Sequence, residues 1–166
     1  MVSVVGEPMS LDSNTATLER VGGLMHFQGI PYSGIVLEHF ESGVQKSKTH
    51  WAEGKREGLY ESWHSNGRIN EQRLYIANRK EGEHRGWYSD GGLRFLLRFQ
   101  EGAFHGRCEE WYPNGDKYSE FNYEFGKEIG PQKLWEPNGK IRANYVVKEG
   151  KRYGIIGSKQ CVSVVE

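Results

Sequence analysis

Aromatic and glycine positions return at a fixed interval along this chain, and polar residues fill the same slots between them. A glycine recurs every 24 residues, at Gly34, Gly58, Gly82, Gly106, Gly130 and Gly154, with no insertion or deletion between copies. Five segments open on these glycines: GIVLEHFESG, GLYESWHSNG, GEHRGWYSDG, GRCEEWYPNG and GPQKLWEPNG. Five residues beyond each opening glycine stands His39, Trp63, Trp87, Trp111 or Trp135, and nine beyond it Gly43, Gly67, Gly91, Gly115 or Gly139. A second aromatic series precedes the glycines by seven residues, at Phe27, Trp51, Tyr75, Phe99 and Tyr123, closed by Val147. Three residues beyond its later members come Gly54, Asn78, Gly102, Gly126 and Gly150. Asparagine fits this series because it tolerates positive φ better than most residues.

The period predicts the element. A repeat of this length holds two strands of about six to eight residues and two tight turns, so each copy is expected to be one β-hairpin. In Tyr112-Pro113-Asn114-Gly115 and Glu136-Pro137-Asn138-Gly139, proline suits the first central position of a type I turn, asparagine the second, and glycine a left-handed bulge. A bare two-residue Asn-Gly loop would place those prolines where a strand N–H pairs across the hairpin. The three-residue loop sets each tryptophan-phase residue opposite Gln45, Ile69, Leu93, Lys117 or Ile141. Alternation along the second strand then predicts that Phe95, Leu97, Phe121, Tyr145 and the second aromatic series share the tryptophan face. Lys46, Asn70, Arg94, Tyr118 and Arg142 are expected on the other, largely polar face. The expected fold is all-β, an elongated single antiparallel sheet of tandem 24-residue β-hairpins. Residues 1–26 read as an N-terminal segment and cap, in which Ser10 to Thr17 looks like loop after the apolar Val2 to Val5. Residues 27–154 read as the repeat sheet and 155–166 as a C-terminal capping strand. Gly154 opens a unit in which Lys159 stands in the tryptophan slot.

Composition fits a one-sided sheet. Hydrophobic residues make up 36% and aromatics 13%, with 22 glycines and a mean hydropathy of −0.74. That is sparse in aliphatics for a thick two-layer core, while the zero net charge and the strict aromatic period argue against disorder.

The Gly-x4-Trp/Tyr-x3-Gly and aromatic-x2-Gly-x3-Gly patterns resemble the MORN repeat, in the longer bacterial variant found in proteins classed as YwqK-family antitoxins. The resemblance spans about Phe27 to Gly154. The first unit departs from it, with His39 in the tryptophan slot and Gly29 one place early. A stack of hairpins is the fold this resemblance implies. Its functional implication is a neutralising partner of a toxin, and other MORN proteins are described as scaffolds or lipid-associated modules.

The residues offer little catalytic chemistry. His26, His39, His50, His64, His84 and His105 fall at different repeat phases. His84 and Cys108 hold equivalent positions in adjacent units, which places them about 9.5 Å apart, too far for the roughly 2.0–2.3 Å bonds of one zinc ion. Cys108 and Cys161 read as two unpaired thiols. No nucleophile elbow, Walker lysine or dinucleotide fingerprint occurs, and the glycines read as turn residues. Glu61, Glu109 and Glu110 read as cross-strand charge partners. No catalytic residue, cofactor or metal is expected, and the chain reads as a non-enzyme. A small enzyme with a site near Cys161 is the rival from another class.

Binding of a protein is therefore the expected function, with a toxin as candidate partner and an envelope scaffold or lipid-associated module as alternatives. Trp63, Trp87, Trp111 and Trp135, with Gly58, Gly82, Gly106 and Gly130, are expected to serve the fold. The candidate partner-binding residues are the departures from the repeat: Phe95, Leu96, Phe104, Tyr118, Phe125 and Tyr153. Nucleic acid is an unsuitable partner for a chain with 22 basic and 22 acidic residues, although Lys46, Lys48, Lys55 and Arg56 form a modest basic cluster. No 18-residue apolar run predicts a membrane span. The N-terminus shows no basic region followed by a long apolar one. As it stands the chain reads as cytoplasmic, and as exported or lipid-anchored if a leader has been removed.

Overall fold

The computed structural model describes residues 9–156. The apolar patch at 2–5 and residues 157–166 of the expected C-terminal capping strand lie outside them. Every regular element among the described residues is a β-strand. The chain divides into two compact units, one up to Arg79 and one from Lys80 onwards.

The first unit contains β1 (Ser10–Asp12), β2 (Leu18–Val21), β3 (Leu24–Phe27), β4 (Ile30–Pro31), β5 (Gly34–His39), β6 (Gln45–Ala52), β7 (Lys55–Trp63) and β8 (Ile69–Ile76). The hairpins β5-β6 and β7-β8 are antiparallel and pair through β6 and β7. Two findings overturn the expectation of one antiparallel sheet. Strands β2, β3 and β4 form a separate three-stranded sheet, and β1 runs parallel to β5. The stretch read as loop therefore begins with a strand. The small sheet forms because Trp51 and Tyr32 would otherwise leave large rings in water: its Leu18, Met25 and Phe27, with Leu11 of β1, pack against Tyr32, Val36 and Trp51. Backbone bonds fix this cover, from Met25 N–H to the Gly54 carbonyl and from Tyr32 N–H to that of Met25 (2.8 and 2.9 Å).

The second unit comprises β9 (Arg79–Trp87), β10 (Leu93–Gln100), β11 (Ala103–Phe104), β12 (Gly106–Trp111), β13 (Lys117–Glu124), β14 (Lys127–Glu128), β15 (Gly130–Trp135), β16 (Ile141–Lys148) and β17 (Lys151–Ile155). Its hairpins are β9-β10, β12-β13 and β15-β16, with β17 pairing β16.

The hairpin loops follow the turn chemistry of their residues. Gly115 N–H donates to the Tyr112 carbonyl (2.9 Å), Tyr112 N–H donates to that of Asp116 (2.8 Å), and Gly115 has φ 86°. Trp63, Trp87, Trp111 and Trp135 pair with Ile69, Leu93, Lys117 and Ile141, and His39 with Gln45, as the three-residue loop requires. The turns between repeats have two central residues with positive φ, such as Glu101 (52°) and Gly102 (87°), the mark of a type I′ hairpin turn. Asn78 occupies the glycine slot at φ 68°.

One feature of every hairpin reverses an expectation. The register shifts one residue beyond the tryptophan, so that Ser62 pairs with Glu71 while Trp63 pairs with Ile69, and Asn70 is the extra residue of a β-bulge. The same shift occurs at Lys46, Arg94, Tyr118 and Arg142. Since one residue inverts the parity of a strand, the second aromatic series from Trp51 onwards lies on the face opposite the tryptophans. Contacts agree. Lys117 Nζ lies 4.5 Å from the Trp111 ring centroid and 2.5 Å from Glu109 on the tryptophan face. On the other side Asn70 Nδ2 donates to Ser62 Oγ (3.2 Å) and Lys46 meets Glu38 (2.7 Å). That second face holds the buried residues, including Tyr75, His84, Phe99, Cys108, Gln132 and Tyr145.

A candidate interaction surface

The tryptophans and unit glycines occupy regular places in the repeat. Trp63, Trp87, Trp111 and Trp135 are all half-buried. Tyr88 and Tyr112, which follow two of them, donate their hydroxyls to the carbonyls of Trp111 and Trp135 (2.7 and 2.9 Å), tying successive hairpin ends together. Gly58, Gly82, Gly106 and Gly130 have φ values of 93°, 65°, 78° and 61°. They lie inside or at the start of strands rather than in turns. Around Gly106 the pairing of β10 passes from β11, where Phe99 faces Phe104, to β12, where Leu96 faces Glu109. Positive φ there lets the strand absorb the offset, which a side chain would resist.

The six irregular residues do not converge. Phe95 lies on the buried face opposite Gly86, and a Cβ added at Gly86 would overlap its ring. Phe104 is stacked between Phe99 and Tyr123, with ring centroids 4.6 and 5.1 Å away. Tyr118, a bulge residue, meets Tyr112 edge to face at 5.1 Å. Leu96 stands half-buried on the tryptophan face between Arg85 and Glu109. Phe125 occupies the first position of a type I′ turn at φ 44°, is 55% exposed, and lies 4.9 Å from the His105 ring. Tyr153, 52% exposed, pairs with Val146 on β17. Phe125 and Tyr153 thus hold free surface, whereas Phe95, Phe104 and Tyr118 fill space beside their neighbours.

A column two residues before the unit glycines carries no motif in the sequence, and in four of its six positions, all but Tyr32 and Glu128, the structure gives it a role. Arg56 lies over Trp51 and Tyr75 (5.8 and 5.2 Å), Lys80 over Phe99 (4.8 Å) and Arg152 over Tyr145 (5.2 Å). Phe104 takes that slot between Phe99 and Tyr123. These residues cover the edges of the second aromatic series through cation–π and stacking contacts. Lys46 and Arg56, members of the basic cluster, are therefore engaged within the chain.

Charge on the tryptophan face is arranged in networks. Glu83 bridges Arg85 (2.6 Å) and Arg98 (3.0 Å), and Arg107 contacts Glu109 (2.9 Å) and Glu120 (2.7 Å). The Arg85 hydrogen bond, with Arg98, holds the Glu83 carboxyl below the usual carboxylate range despite some burial. Burial pushes Glu109 upward, but Lys117 and Arg107 outweigh it and hold its carboxyl below that range. On the buried face, burial and the hydrogen bond to Glu128 (3.0 Å) raise Tyr145 to about 12. At the first unit's edge His39 Nδ1 lies 2.8 Å from Asp12 Oδ2. The backbone N–H of Asn14 and the His39 ring hold the Asp12 carboxyl low. The departure of His39 from the tryptophan slot thus accompanies the parallel strand β1.

Cys108 is buried and unpaired, and burial pushes its thiol upward. Cys161 lies outside the described residues. Among the described residues no group of three or more His, Cys, Asp or Glu side chains could hold a metal ion, and no helix is long and apolar enough to cross a membrane.

Residues 56–77 and 104–124 match the model of the MORN repeat variant. The first match covers most of β7, the hairpin loop and β8, and the second runs from Phe104 through β12, its loop and β13. No curated protein matches the chain.

Proposed function

We propose that this chain, which carries MORN repeats of the variant type, binds another protein through residues that its repeats do not need for folding, and that it acts as an antitoxin-like or immunity-like partner. The observation that carries this reading is the division of labour among aromatic residues. The regular columns are half-buried or stacked, while Phe125 and Tyr153 expose 55% and 52% of their surfaces at positions that are mostly polar in the other repeats. Large exposed aromatics on a repeat scaffold are the residue type from which interface anchors are drawn. The family resemblance supports a toxin as that partner.

Affinity capture from the native host, with identification of the retained protein and reconstitution from purified components, tests the reading. A stoichiometric complex whose toxic or enzymatic component is silenced by this chain is the expected result. A chain that captures nothing, or whose captured partner has no activity to silence, contradicts it. A toxin gene beside this one would give independent support.

A further inference from the structure

On the tryptophan face of the last three strands the register lines up an apolar row. Pro131 lies opposite Val146, which lies opposite Tyr153, and residues so opposed have Cβ atoms about 4.5–5.5 Å apart. Pro131 and Tyr153 are exposed and Val146 half-buried. The row on one side is Lys133, Asn144 and Ile155, and on the other side Lys148 faces Lys151. Ile141, 52% exposed, stands opposite Trp135 on the far side of the Lys133–Asn144 row.

Some cations of this face are held by carboxylates, and others, these three lysines among them, are not. Arg85, Arg98, Arg107 and Lys117 all meet carboxylates. Lys133, Lys148 and Lys151 meet none among the described residues. Glu120 is the cross-strand partner of Lys133, but its carboxylate lies 2.7 Å from Arg107. Lysine on an outer strand discourages chain-to-chain pairing, which accounts for Lys151 on β17. It does not account for Lys133 and Lys148, which stand on the interior strands β15 and β16.

We infer that this surface docks an acidic, extended protein segment carrying apolar side chains. Its carboxylates meet Lys133, Lys148 and Lys151, and its apolar groups cover the Pro131–Val146–Tyr153 row with Tyr153 as anchor. Charge complementarity of this kind sets orientation and speeds encounter. The inference rests on the protein-binding reading and supplies the chemistry of the partner.

The test uses the full chain and labelled ten-residue peptides that alternate leucine with glutamate or with lysine, together with vesicles of phosphatidylcholine and phosphatidylglycerol. Binding of the glutamate peptide alone, weakened by salt and at least tenfold by Lys148→Glu with Lys151→Glu, is expected. Tyr153→Ser, at an exposed site, is expected to weaken it comparably with an unchanged melting temperature, and it replaces the double variant if that fails to fold. Equal binding of both peptides, unchanged affinity in the folded variants, or binding of vesicles in place of the glutamate peptide overturns the inference. So does a peptide bound only after removal of residues 157–166, which would make the chain's own terminus the occupant. Undiminished capture of the native partner by the charge-reversed chain overturns this inference alone, whereas absence of any captured partner counts against the protein-binding reading itself.

Discussion

Single residues in this chain are selected by backbone geometry and by the neighbour across the ladder. Gly126 sits second in a type I′ turn at φ 80°, where an added Cβ would meet only ordinary contact with Ala103 at 3.7 Å. Its constraint is therefore conformational, and Gly126→Val should lower stability by more than about 1 kcal/mol. Unchanged denaturant unfolding would count against that constraint. Gly86 is constrained differently, because the Phe95 ring occupies the space its Cβ would need. Gly86→Ala should cost on the order of 1–3 kcal/mol by overpacking. Adding Phe95→Leu should return part of it, a recovery visible as non-additive melting temperatures in a double-mutant cycle. Neither partner reveals this pairing when read alone, since Phe95 stands among the candidate interface residues and Gly86 falls outside the repeating glycine series.

At the scale of the element, the 24-residue period and the Pro-Asn-Gly loops were enough to specify the hairpin, its loop type and the partner of each tryptophan. The parity of the second strand was not legible. The bulge residues Lys46, Asn70, Arg94, Tyr118 and Arg142 share no side-chain type, and a bulge formed by backbone register alone leaves no composition to read. Missing it assigned the tryptophans and the second aromatic series to one face. The cations of the covering column, Arg56, Lys80 and Arg152, were equally hidden, because charged residues on a strand read as solvated until their aromatic neighbours are placed.

The electrostatic ties between strands predict how the sheet responds to pH. Glu83, Glu109 and Asp12 have carboxyls held low in the folded chain. Their contribution is present above the unfolded value of about 4 and is lost as pH falls through the lower folded values. Melting temperature should therefore drop progressively below about pH 4, and Glu109→Gln should flatten that drop. Tyr145 has the opposite sign. Raised to about 12 in the folded chain, it stabilises fully below the ordinary tyrosine value of about 10 and stops doing so as pH rises through about 12. A Tyr145→Phe chain should lack this alkaline component, and an identical alkaline melting profile in both chains would contradict the assignment.

For the molecule as a whole, the sequence supported stacked hairpins but not the construction of the first unit. The three-stranded sheet β2-β4 covers Trp51 and Tyr32, and β1 joins β5 in parallel, so an N-terminal segment expected as loop and cap contributes core. Length and polarity hid it: β1 spans three residues and β4 two, too short for a periodic signal. The second unit carries the surface with exposed aromatics and unpaired lysines, which regular repeat columns do not explain. The most direct measurement of a protein-binding role is hydrogen exchange on the purified chain, alone and with its captured partner. Partner-dependent protection concentrated in β15, β16 and β17 is the predicted result. Protection confined to the first unit, or none with a partner demonstrably bound, would contradict it.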